Sequence, residues 1–262
     1  MSEATAPAMT PSIQFLPGDY VAPGFARIRP DSCFPNMIQG DRARADWAYF
    51  RREIPHPFYV DRRQPAIGFV SRDEAHILFN TARRYPGVST LEIGCWLGWS
   101  ACHLALGGVR LDVIDPLLAE PGIYASVRGS LEAAGVMNRV TLVPGASPAR
   151  VFEMTGLHGR RWNLFFIDGN HEAPGPLHDA MAVAAVAPAD ALVLFHDVVA
   201  PAVAAGLAHF RALGWHTMLY QTMQIMGVAW RGAMQPVAHV PDPDVDWTLP
   251  EHLNGWTISG MG

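Results

Sequence analysis

From residue 89 to residue 214 the sequence switches five times between a short apolar run and a longer stretch with a helical face. The runs "STLEI" (89–93), "RLDVID" (110–115), "RVTLVPG" (139–145), "WNLFFID" (162–168) and "ALVLFHD" (191–197) read as strands. The stretches 99–107, 122–135, 147–156, 176–187 and 201–214 read as the helices that follow them. Strands that are apolar along their whole length are buried on both faces. With a helix after each, they predict an α/β fold: a Rossmann-like, mostly parallel sheet with helices on both sides. Two further runs, 215–221 and 224–230, are joined by a short link and predict an antiparallel close to the sheet.

Outside this alternation the pattern is weaker. Residues 1 to about 40 are rich in Pro and Gly and predict an irregular arm. The segment "DRARADWAYFRREI" (41–54) predicts a short helix whose Trp47, Tyr49 and Phe50 pack on a neighbouring surface or cover a substrate. Ser71 with Glu74 three residues later is a capping-box signature for a helix carrying Ala75, Ile77, Leu78 and Ala82. Ser147 is expected as an N-cap with Pro148 at the first helical position. The expected division is an arm over 1–70 (lid or oligomer contact), a ligand-binding domain over 71–235, and an irregular tail over 236–262 that wraps the domain or a second subunit.

Net charge is -5, with no long run of Lys or Arg, which argues against nucleic acid or an anionic membrane surface as partner. A small molecule fits better. Three cysteines without a C-x-x-C suggest neither a disulfide framework nor a cysteine zinc site, and point to a reducing compartment. The opening "MSEATAPAMTPSIQ" lacks the plan of a secretory signal, and no apolar run is long enough to span a bilayer, so a cytoplasmic location is expected.

In an open parallel sheet, ligands lie beyond the C-terminal strand ends. There the chain reads "LEIGCWLGWSACHLA", with Gly94 and Gly98 at the turn between first strand and first helix. Glycine permits positive φ and close approach of a ligand to the backbone, and the helix start behind Gly98 offers free N–H groups. Trp96 stands where a dinucleotide fingerprint needs glycine, which favours a ligand without a pyrophosphate. Asp115, ending "VIDP", is placed to accept a ribose diol or to cap a turn. Asp168, His196 and Asp197 fall at two neighbouring strand ends, and together could hold a divalent cation. The alternative is that His196 and Asp197 only brace loops. His103 and His178, inside helices, are expected to be packed or half-exposed residues, and Met218, Met223 and Met226 core or wall filler.

Taken together, "LEIGCWLGWSACHLA", "VIDP", "VTLVPGAS" and "FFIDGNHE…VLFHD" resemble class I S-adenosylmethionine-dependent methyltransferases. They are similar to the catechol-type and natural-product O-methyltransferases that use a divalent metal. The likeness spans about residues 70 to 231. It implies a seven-stranded sheet with the last strand antiparallel. It also implies that Glu92, Gly94, Trp96, Gly98 and Ser100 surround the methionine end of S-adenosylmethionine, that Asp115 holds the ribose, and that Ala146 and Ser147 lie along the adenine. Asp168 counts both with these cofactor contacts and with the metal ligands. His171 stands where catechol-type relatives carry a basic lysine, which makes it the expected general base, with His196 as the rival if no metal binds. The relatives pair an acid with an acid or amide where this chain has His196-Asp197, so Mn²⁺ or Fe²⁺ compete with Mg²⁺ as the expected ion, and a site of Asp168 and Asp197 alone, or no metal, stand as alternatives.

The expected activity is O-methylation of a sugar, phenol or secondary metabolite, and the resemblance implies a homodimer through the N-terminal region. Metal-free N- or C-methylation and a non-catalytic cofactor-binding protein stand as alternatives. An NAD-dependent reductase is disfavoured by Trp96 and by the lack of a Tyr-x-x-x-Lys pair.

Overall fold

The computed structural model describes residues 19–260. The first eighteen residues of the expected arm lie outside the described residues. The alternating region folds as its pattern predicts. Strands β4 (Ser89–Ile93), β5 (Arg110–Asp115), β6 (Val140–Pro144), β7 (Leu164–Ile167) and β8 (Ala191–Phe195) are joined to β9 (His216–Tyr220) and β10 (Met226–Arg231) in one seven-stranded sheet. Its order is β6-β5-β4-β7-β8-β10-β9. The β4/β5, β4/β7, β5/β6 and β7/β8 pairs are parallel, while β10 runs antiparallel to both its neighbours.

The strands read as continuous apolar runs because alternate residues serve two cores. Leu164, Phe166, Leu192 and Leu194 face a cluster with Ile77 and Leu78 of α1 (Arg72–Arg84), Leu104 of α2 (Trp99–Leu106) and Leu131 of α3 (Pro121–Ala133). Phe165, Ile167, Val193 and Phe195 face the other cluster. There they meet Val151 of α4 (Ala149–Gly156), Val183 of α5 (Gly175–Val186) and Phe210 of α6 (Pro201–Ala212). Each such buried side chain contributes about 1.5–3 kcal/mol, so the alternation fixes which way every strand faces.

The capping box at α1 is complete: Ser71 Oγ accepts from Glu74 N, and Glu74 Oε2 accepts from Ser71 N. At α4 the expectation shifts by one residue. Pro148 is the N-cap, and Ser147 makes no capping bond. The larger correction is in the arm. Segment 41–54 is not a helix but a series of turns. It lies among a three-stranded antiparallel sheet of β1 (Met37–Gln39), β2 (Tyr59–Asp61) and β3 (Gln64–Phe69). Phe50, Ile54, Phe58 and Met223 form a small core of their own there.

The tail returns to the body. His239 Nε2 meets Asp73 of α1 at 2.6 Å, and His56 of the arm meets Asp242 at 2.7 Å. No helix is long and apolar enough to cross a membrane.

Candidate active site

A cavity of about 680 Å³ opens beyond the C-terminal ends of β4, β5, β7 and β8. Gly94, Trp96, Ser100, Asp115, Ala146, Ser147, Asp168, His171, His196 and Asp197 all line it. Of the residues expected to hold cofactor or metal or to move the proton, Glu92 and Gly98 do not. Glu92 is fully buried behind the turn, where its Oε1 accepts from the Ser100 hydroxyl at 2.5 Å. Burial raises its carboxyl well above the usual carboxylate range, and the Ser100 bond only partly offsets that. Gly98, at φ +85°, is the N-cap of α2.

The turn is held by one carboxylate. Asp115 Oδ2 accepts from Cys95 N at 2.8 Å and from Trp96 N at 3.0 Å, while Oδ1 accepts from Leu117 N at 2.8 Å. The turn-capping alternative for Asp115 is thus realised; Oδ2 already accepts twice, and Oδ1, accepting once, keeps capacity for one further donor. Trp96 takes φ 46°, and its indole Nε1 is buried without a partner. A buried unpaired donor costs roughly 1–3 kcal/mol, so a polar ligand in the cavity would relieve it. Among the described residues, three without glycine's freedom lie in the left-handed region: Trp96, Asp197 and Ile225. Trp96 and Asp197 line the cavity, and Ile225 follows the lining residue Gln224. Strain of this kind persists where surrounding structure over-determines a site.

At the far end of the cavity two acids and two imidazoles converge. One ligand atom each from Asp168, His171 and Asp197 falls within a 4.8 Å group that could hold a metal ion. His171 Nε2 is 3.3 Å from Asp168 Oδ1 and 3.2 Å from Asp197 Oδ2. The sequence points to His196 as the third donor beside Asp168 and Asp197; the structure brings His171 to the same two acids as well. His196 lies deeper, with Nδ1 2.9 Å from Asp197 Oδ2 and 3.3 Å from Asp168 Oδ1, and Nε2 3.2 Å from Glu74 Oε2. Burial opposes its charge, but Asp197, Asp168 and Glu74 outweigh burial and hold its pKa well above the usual imidazole value. Burial likewise works against ionised Glu74, yet His196 and the Ser71 and Gln224 bonds bring it down to about 2. His196 thus lies among three carboxylates that favour its charged form, beneath the acids rather than beside them in the cavity.

Several participants were not legible in the sequence. Tyr49 Oη lies 2.5 Å from His171 Nδ1. Gln224 Nε2 donates to Asp197 Oδ1 at 3.0 Å, and its backbone N–H donates to Glu74 Oε1 at 2.8 Å. Trp47, Ile67 and Phe69 wall the cavity from the arm side, and His178 lies along it. His103 is packed, as expected, its Nδ1 donating to Trp99 O at 2.8 Å. Met223 and Met226 are core residues.

A family model described as a methyltransferase domain matches residues 91–198, the stretch that runs from the glycine turn to just past Asp197. A comparison with curated protein sequences finds no match. Among solved structures, the chain is similar to an O-methyltransferase from Bacillus cereus in complex with SAH. The identity there is 15%, over 62% of this chain and 83% of that one, at a TM-score of 0.54. It is also similar to the O-methyltransferase TomG from Streptomyces achromogenes in complex with SAM, at 20% identity over 63% and 82%, with a TM-score of 0.53. At such identities the structures speak for the shared fold, and the family model speaks for the domain. Residues 91–198 thus match a methyltransferase domain, within a chain that shares the fold of these solved methyltransferases.

Proposed function

We propose that this chain transfers the methyl group of S-adenosylmethionine to a hydroxyl of a small molecule, with a divalent cation held by Asp168, Asp197 and His171. The observation that carries this reading is that the three donors line the same cavity as the turn braced by Asp115. Two carboxylates and one imidazole suit Mn²⁺ or Fe²⁺ at least as well as Mg²⁺. A bound cation would lower the pKa of the acceptor hydroxyl and orient it.

The chain's own residues supply the rest. Gly94, Trp96, Ser100 and Asp115 would hold the methionine and ribose parts of the nucleoside, with Ala146 and Ser147 beside the adenine. Trp47, Tyr49, Ile67 and Phe69 would wall the acceptor, and suit a phenol or another metabolite with a flat or apolar body. In the transfer, the acceptor oxygen forms its bond to the methyl carbon as the carbon–sulfur bond breaks. The hydroxyl proton must leave toward the Asp168, His171 and Asp197 group, the polar end of the cavity. His196 and Glu74 would keep the two aspartates in place from beneath.

A second reading is metal-free transfer with His171 as general base. The observation in its favour is that the His171 imidazole, partly open to the cavity, is backed by two carboxylates at 3.2 and 3.3 Å. One experiment separates the two: transfer of a labelled methyl group to a panel of phenols, sugars and hydroxylated metabolites, before and after a chelator. Loss of transfer with the chelator and recovery with Mn²⁺ support the metal. Transfer that survives the chelator supports the base. Tight cofactor binding with no labelled acceptor in either case would overturn both and leave a binding protein.

A further inference from the structure

We infer that Tyr49, from the arm, is a positioning residue that fixes the His171 imidazole as the third donor to the metal; the inference rests on the metal reading above. His171 sits in an irregular stretch between β7 and α5, where no secondary structure orients its ring. Its Nε2 faces Asp168 and Asp197, and its other nitrogen, Nδ1, is 2.5 Å from Tyr49 Oη. The two rings meet edge to face, with centroids 5.5 Å apart and planes at 76°. A ligating imidazole needs a partner on its second nitrogen, because that bond sets both the tautomer and the ring plane. A phenol can fill the role, since its oxygen accepts a hydrogen bond from Nδ1–H while the ring packs on the imidazole.

Tyr49 is itself held firmly enough to impose an orientation. Two residues on, Arg51 is buried, and its guanidinium donates to Thr222 O at 3.4 Å and Thr248 O at 2.5 Å. Arg51 N also donates to Gln224 Oε1 at 3.3 Å, so the same turn of chain reaches the side chain that bonds Asp197. Two residues back, the Trp47 ring presses on β3 so closely that a Cβ on Gly68 would stand 2.6 Å from it. Tyr49 lies outside the matched stretch 91–198. The arm therefore contributes a part of the centre that the domain alone lacks.

The test uses full-length protein and Mn²⁺ as the probe. Mn²⁺ affinity is read from the free-ion electron paramagnetic resonance signal for wild type, Tyr49→Phe, His171→Ala and the double variant. Calorimetry gives affinity for the demethylated cofactor, and thermal unfolding checks folding. Tyr49→Phe is expected to weaken Mn²⁺ about ten- to a hundred-fold, the usual effect of removing such a partner, with cofactor-product affinity unchanged. In the His171→Ala background it should cost nothing further, because the interaction it supports is gone. As a reading independent of the metal, the imidazole nitrogen resonances of His171 should shift in Tyr49→Phe. Wild-type affinity in Tyr49→Phe, or an equal loss in both backgrounds, overturns the inference. Failure of the wild-type protein itself to take up Mn²⁺ overturns the metal reading and this inference together, and is told apart by that first measurement.

Discussion

Gly94 packs against the backbone of Asp168 so tightly that a Cβ added to it would stand 2.1 Å from the Asp168 carbonyl oxygen. The glycine also sits at φ +83°. The closeness therefore joins two strand ends, that of β4 with its turn and that of β7 with its acid, before any ligand arrives.

Gly94→Ala should accordingly fail for two reasons at once, a left-handed backbone and a clash with main chain that cannot swing away. We expect a loss of about 3 kcal/mol in urea unfolding, from the sum of a left-handed alanine and an overpacked contact. Any folded fraction should bind cofactor product poorly. Unchanged unfolding would mean that the strand ends can part more freely than the packing indicates.

Asp115→Asn keeps the size of the side chain but turns one acceptor into a donor. Both carboxylate oxygens already accept backbone N–H groups, so the amide must face at least one of them. The expected outcome in calorimetry is a ten- to hundred-fold loss of affinity for the demethylated cofactor, about 1.5–3 kcal/mol for a charged hydrogen bond.

The two histidines near the acids should behave oppositely. His171→Ala should lower kcat by about a hundred-fold or more and leave the melting temperature nearly unchanged, since the ring is partly open to the cavity. His196→Ala strips the countercharge from Glu74, which is fully buried, and should cost about 3–5 kcal/mol of stability. Kinetics and chemical unfolding on the same samples check both. A stable His196→Ala with an intact Glu74 charge would contradict the assignment.

The buried histidines should lower the stability of the metal-free protein on both sides of an imidazole's ordinary pKa of about 6.5, while the raised carboxyl of Glu92 works the other way on the acid side. On the acid side, burial lowers His76 to about 4 and His103 to about 3. His76 Nε2 must stay unprotonated to accept from Ile28 N at 3.1 Å. Below about pH 6.5 the unfolded chain takes up these protons and the folded one does not, so stability falls with pH by about 2 kcal/mol for each histidine by pH 5. Glu74 adds a second loss below its ordinary range, as pH falls toward its folded value of about 2. On the alkaline side the sign reverses. His196 has a raised pKa, so its contribution is complete below about pH 6.5 and is lost as pH rises through the folded value. Melting temperatures across pH 4 to 9 of the wild type and of Glu92→Gln test the curve, and a flat profile between pH 5 and 6.5 in Glu92→Gln would refute the histidine part.

How much of this was legible in the sequence follows from what each residue packs against. The runs 89–93 and 110–115 coincide with β4 and β5 because both faces of those strands are covered, so the apolar pattern has sharp ends. The arm was misjudged because its order comes from distant contacts. Trp47 and Phe50 fix the turns of 41–54 against Phe58 and β3, and a local helical pattern loses to that packing. Strand-end position told which residues reach the crevice but not their depth. Both His171 and His196 line the cavity, but His171 reaches it from a loop while His196 lies against the buried Glu74. Tyr49 lies 122 positions from its partner His171 and carries no local mark of the pairing.

One carboxylate, that of Glu74, both starts the first helix of the domain and braces the imidazole under the acids. The start of that helix and the seating of His196 thus depend on the same side chain. Local fraying at residues 71–74 would therefore take the brace from His196 while leaving the sheet's own hydrogen bonds in place.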